Sequence, residues 1–168
     1  MSARTSALEM ALYNKWQNET LYRLCDALSD EDRKRDRGMF FHSIHETLDH
    51  GLMVDRHLLD FITTGQPPTD FDPAQRLHSS YTALKHERET FDDALIELIR
   101  ERRDDWLDEE ITFASDRLQR DRSLPRNFYS MQLFNHATHH RSQVTSELHK
   151  LGIDYGSTDL PMNPYSQY

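Results

Sequence analysis

The sequence predicts an all-α fold: a four-helix bundle with a small extended segment or hairpin between its third and fourth helices. Three observations predict it. Apolar residues recur at helical spacing in four long stretches of the 168 residues. Only five glycines interrupt the chain, and runs such as Ala94–Leu98 suit helices better than sheets. The breaks between the stretches carry capping and turn residues. Four long helices in a chain of this size bury their stripes by packing on one another, so residues 1–168 read as a single domain.

The first helix spans 4–28, with Met10, Tyr13, Gln17, Leu21, Leu24 and Leu28 on one side. A charged stretch, 29–38, ends it at Gly38. The second helix spans 40–63, with Phe40, Ile44, Leu48, Leu52, Leu59 and Ile62 as its stripe. Gly65–Thr69 is a linker. Asp72 and Pro73 then supply an N-cap and a proline in the first turn of a third helix, which runs to about Arg103. Trp106, Ile111, Thr112 and Phe113 mark the extended segment within 104–125. Pro125 opens the fourth helix, which runs to Leu151 and stops at Gly152. The tail 153–168, with two prolines and three tyrosines, packs on the surface.

Hydrophobic residues make up 36% of the chain, charged residues 29%, and the net charge is −9. An acidic chain gains nothing from releasing phosphate counterions, which argues against a nucleic-acid partner. The one basic patch, Arg33, Lys34, Arg35 and Arg37, is interleaved with Asp30, Glu31, Asp32 and Asp36 and reads as a solvated mixed-charge turn. Cys25 is the only cysteine, so no internal disulfide forms. It lies among apolar positions, where inert packing is favoured over a reactive thiol. No stretch has the roughly 20 apolar residues of a membrane span. Charges at Glu9, Lys15, Glu19 and Arg23 argue against a signal peptide. A cytoplasmic protein without a membrane partner is expected.

Histidines carry the chemistry. The stretch 134–144 reads FNHATHHRSQV. At ~100° per residue, His140 falls among Leu133, Ala137, Val144, Leu148 and Leu151, His136 lies at the edge of that face, and His139 points away. His136 and His140, four apart, are neighbours that can reach one divalent ion, though the same spacing also arises as two hydrogen-bonded core histidines. Gln143 and Glu147 extend the flank. A third ligand has to come from another helix. In the second helix, His42 lies opposite the stripe, and His45 and His50 flank it at similar angles, so periodicity does not choose between them. Asp55 projects into the stripe. A buried carboxylate needs a partner, either a histidine that it orients or a cation such as Arg88.

FFHSIHETLDHGLMVDR in the second helix and FNHATHHRSQV in the fourth, with YNKWQN at 13–18 and the GIDYGSTDLP tail, resemble the DinB-like family over most of the chain. The resemblance implies a four-helix bundle with a long crossover connection, commonly a homodimer. It also implies a divalent ion held by three histidines, matched here to His50, His136 and His140. It thereby selects His50 over His45. Tyr13, Asn14, Trp16 and Asn18 are implied as pocket-lining residues, with core packing as the alternative. The chain departs from the family pattern at His42 (usually small), Asp49 (often asparagine) and His57–Leu58 (commonly tryptophan), which puts carry-over of a substrate in doubt.

Three neutral imidazoles leave an ion its charge and an open position. Such an ion lowers the pKa of water to roughly 7 or keeps a thiol deprotonated. The expected function is therefore a metal-dependent hydrolase or a transferase using a low-molecular-weight thiol, acting on a small molecule. The alternative is a non-catalytic bundle with a structural or stress-response metal. Zinc and nickel lead the expected ions, with iron and manganese also compatible with the ligand set.

Overall fold

The computed structural model describes residues 1–68, 71–115 and 120–168. Its first helix, α1, spans Ala3–Asp26, started by Ser2, whose hydroxyl accepts from the amide of Thr5 at 3.2 Å. The charged stretch that follows is more ordered than a turn. Ser29 caps a short helix, α2 (Asp30–Lys34), with three acidic residues in the first turn, where the backbone dipole favours them. The basic residues there form no open patch. Arg33 stacks 4.1 Å from the Tyr81 ring centroid and donates to the carbonyls of Cys25 and Leu28. Arg37 donates to the Asp32 carbonyl at 2.9 Å.

The second long helix, α3, spans Ile44–Thr64 rather than starting at residue 40. His42 sits at φ 63° in a tight turn closed by a Met39–His42 bridge, and a left-handed residue cannot continue a helix. Ser43 is the cap, accepting from Glu46 at 3.1 Å. Phe40, expected in the apolar stripe, is therefore 78% exposed on the turn. Gly65, the first residue of the linker, ends α3 at φ 73°.

The third long helix, α4, spans Tyr81–Glu101 with Ser80 as its cap, so Asp72 and Pro73 do not open it. Asp72 instead closes a local turn, its side chain accepting from Ala74 at 2.9 Å. The following residues are held away from helix by α3: buried Asp49 accepts from the amides of Leu77 at 2.7 Å and His78 at 3.0 Å. His45 donates to the His78 carbonyl at 2.8 Å.

A 3-10 turn (Trp106–Asp108) leads to the hairpin, β1 (Glu110–Ser115) paired antiparallel with β2 (Arg120–Pro125), Ile111 opposite Leu124. Phe113 of β1 fastens it through Phe61 and Tyr129, edge to face at 5.1 and 6.0 Å. The last helix, α5, spans Arg126–Lys150 and is closed by Gly152 at φ 76°.

The fold is mostly helical with one small hairpin. Helix α3 packs on α5 and α4, and α1 on α4 and α5. Leu52, Leu84, Leu133, Val144 and Leu148 are closed from solvent between them, whereas Leu151, past the last turn, is 41% exposed. Cys25 is fully buried, and burial pushes its thiol up to about 12, so it is inert packing. The tail lies along α1: Tyr13 donates to the Thr158 carbonyl at 2.6 Å, and Glu9 accepts from Ser166 at 2.9 Å. Among the described residues, no helix is long and apolar enough to cross a membrane.

Candidate metal centre

The packing of α3 on α5 brings His50, on α3, against His136 and His140, on α5. Their ring centroids stand 5.4 Å (His50–His136), 4.9 Å (His50–His140) and 4.3 Å (His136–His140) apart. Each offers one nitrogen such that all three lie within 4.8 Å of one another. His139 is exposed, as the helical register predicts, but it does not point away from the cluster: its ring stands 4.8 Å from that of His140 and its Nε2 meets the Gln143 side chain at 3.3 Å. His45 is buried, but its ring turns toward the start of α4.

Hydrogen bonds fix which nitrogen is free on His50 and His140. His140 Nδ1–H donates to Gln143 Oε1 at 2.8 Å, leaving a lone pair on Nε2. His50 Nδ1–H donates to the carbonyl of Pro73 at 3.1 Å, which likewise frees Nε2. His140 Nε2 and His136 Nε2 face each other at 2.9 Å. Nδ1 of His136 is buried with no partner among the described residues. Burial and the neighbouring imidazoles depress the pKa of His136 to about 3. Burial takes His140 down to about 4, against the opposing Gln143 contact, and it also lowers His50. All three rings are therefore neutral at neutral pH, the form that binds a cation. Three neutral imidazoles whose nitrogens converge, with no counter-charge among them, fit a divalent ion that displaces the proton shared by His136 and His140.

Phe41 covers the cluster. Its ring stacks on His50 at 3.9 Å and tilts against His140 at 5.6 Å. Beside it a cavity of about 400 Å³ reaches His50, walled by Phe40, Phe41, Pro73, Glu46 and Arg76. Phe41 and Pro73 carry no signal in the sequence pattern, because one sits on a left-handed turn and the other in a loop that reads as helix. Asp49 is the link. By pinning Leu77 and His78 it anchors the loop that lends its Pro73 carbonyl to His50.

The remaining expected site residues lie elsewhere. Asp55 meets Arg88 at 2.7 Å, not a histidine. Arg88 also holds Asp92 at 2.7 Å, and Asp92 accepts from Asn14 at 3.3 Å and Asn18 at 2.8 Å. Asn14 and Asn18 in turn accept from Arg141. Tyr13 bonds the tail, and Trp16 packs edge-on against it at 5.9 Å. Glu147 pairs with Lys150 at 2.6 Å. Of these supporting residues, Gln143 alone hydrogen-bonds to one of the three histidines among the described residues.

A protein-family model described as the DinB family matches residues 1–168, the full length of the chain. No curated protein matches it.

Proposed function

The chain belongs to the DinB family, and from that premise we propose that it is a divalent-metal-dependent enzyme whose ion is held by His50, His136 and His140. The observation that carries the reading is the convergence of three neutral imidazoles beside an open cavity, with no fourth His, Cys, Asp or Glu completing the group among the described residues. Structural ions favour a closed shell, whereas catalytic ones keep a position for water or substrate. When bound, such an ion supplies a Lewis acid that makes water or a thiol acidic enough to act as a nucleophile at neutral pH. The reaction is hydrolysis or a transfer that uses a low-molecular-weight thiol, on a small molecule that enters through the cavity. Zinc and nickel suit the nitrogen donors best, with iron and manganese also accepted.

The chain's own residues have separate tasks. The Pro73 carbonyl and Gln143 orient His50 and His140, and such contacts tune ligand basicity. Phe41 shields one side of the cluster from water. The same proposal includes one domain over 1–168, its four long helices a bundle with the 65–80 connection as the crossover. It also includes a homodimer in the cytoplasm.

Elemental analysis of tag-free protein beside its His50→Ala variant tests the reading. One ion per chain, lost in the variant, is the expected result. No ion in either after reconstitution with zinc, nickel or manganese would overturn it. An ion whose shell, by X-ray absorption, holds four protein ligands would favour a structural role instead.

A further inference from the structure

On the other side of α5 from the histidines lies a second cavity, of about 270 Å³, between α1, α5 and the tail. None of the three histidines lines it. Its wall includes Arg141, which is 9% exposed and whose guanidinium donates to Thr138 and lies 5.7 Å from the Tyr13 ring centroid, both residues of the same wall. Among the described residues, no carboxylate oxygen lies within 4.0 Å of that group. Its hydrogen-bond acceptors are all neutral: Asn14 Oδ1, Asn18 Oδ1 at 3.4 Å and Thr138 Oγ1 at 3.1 Å. No acceptor meets its Nε among the described residues. Asp55 and Asp92, the nearest acids, are already engaged with Arg88. A buried cation without an ionic partner is costly, and a fixed guanidinium fork is shaped for a carboxylate.

The rest of the cavity is consistent with one negative charge on an apolar body. Leu21 and Leu24 form an apolar wall, Thr20 offers a hydroxyl, and no acidic residue lines the space among the described residues. A single guanidinium balances a monoanion. A phosphate, with a second charge and three strong acceptors, needs more donors than stand here. We infer that this cavity is a binding site for a small organic monocarboxylate, paired by Arg141 with its chain against Leu21 and Leu24. The site is separate from the proposed metal centre and does not depend on it.

Butyrate is the probe, added to the full-length protein while the Arg141 Nε–H resonance is followed by NMR. A saturable shift is expected. Affinity should fall at least tenfold in Arg141→Gln, read there from the backbone amide shifts of Leu21 and Thr145 because that variant has no Nε–H, and also in Thr145→Phe, which fills the cavity while leaving the guanidinium in place. Thr145→Phe guards against a fold lost with Arg141. His136→Ala should bind butyrate as the parent chain does. No saturable shift, undiminished binding in a folded Thr145→Phe, or equal binding of chloride and inorganic phosphate would overturn the inference.

Discussion

Two groups of buried polar side chains flank α5, and they are completed in different ways. In the first, Arg88 lies between Asp55 and Asp92, and Asn14 and Asn18 pass the hydrogen bonds on to Arg141. Opposite charges meet at Arg88 but not at Arg141, and the pKa of each arginine records the difference. For Arg88, desolvation is outweighed by Asp92 and Asp55, so its pKa rises. For Arg141, desolvation wins and takes it down to about 10. In the second group, His50, His136 and His140 face one another with no charge of either sign among them. The protein completes the first group from its own sequence, apart from its end at Arg141. In the proposed reading the second is completed by an ion from outside. Removing a member of the first should therefore damage the fold, whereas removing a member of the second should damage mainly what binds there.

The largest expected effect tests the first half of that contrast. Arg88→Met leaves two carboxylates buried without their cation, which costs about 3–5 kcal/mol, read as a drop in the urea midpoint. His140→Ala, measured in chelator, should cost about 1–2 kcal/mol. Equal losses would erase the distinction.

Next comes the ion itself. At a hundredfold excess over its Kd, a bound ion stabilises the native state by about 2.7 kcal/mol. His140→Ala should lose that entire increment, and Arg88→Met, if it folds, should keep it. Gln143→Ala removes only the group that orients His140, so metal affinity should fall about 10–100-fold without vanishing, as measured by competition with a chromogenic chelator.

Acid sharpens the comparison further because the two groups respond with opposite signs. His136 and His140, at about 3 and about 4, lie below the ordinary 6.5. Between those values and 6.5 the unfolded chain binds more protons, so metal-free stability falls as pH falls through that window. Asp55, raised by burial from 3.8 to about 6, binds its proton more readily when folded. Its contribution to stability therefore falls as pH rises from 3.8 to 6. His136→Gln in chelator should flatten the loss on acidification, and an unchanged slope would mean that the histidines are not the groups responsible. The smallest effect belongs to His139→Ala, within about 0.5 kcal/mol and with metal content unchanged.

Much of this contrast could be read in the chain. Asp55 in an apolar stripe demanded a partner, a histidine or a cation, and Arg88 supplies it. Helical register placed His140 inside and His139 outside, because both lie within one uninterrupted helix. The choice between His45 and His50 was beyond periodicity, since both are buried and differ only in which neighbour they face. The cover over the site was illegible for another reason. Phe41 depends on a left-handed residue that is not glycine, and Pro73 on a loop held out of helix by Asp49, which lies 28 positions before the first amide it holds. Local propensity does not encode a contact of that range. The hairpin was visible in its β-branched and aromatic residues, though not how Phe113 would fasten it to Phe61.

The Asp49 clasp has a consequence for the rate at which the site can open. The Leu77 and His78 amides are held by the same carboxylate that keeps the Pro73 carbonyl over His50. When that segment lifts from α3, both amides become open to hydrogen exchange and His50 loses the contact that aims its ring. Exchange at those two amides and escape of a bound ion then share one local opening, and whatever holds the segment down should slow both together.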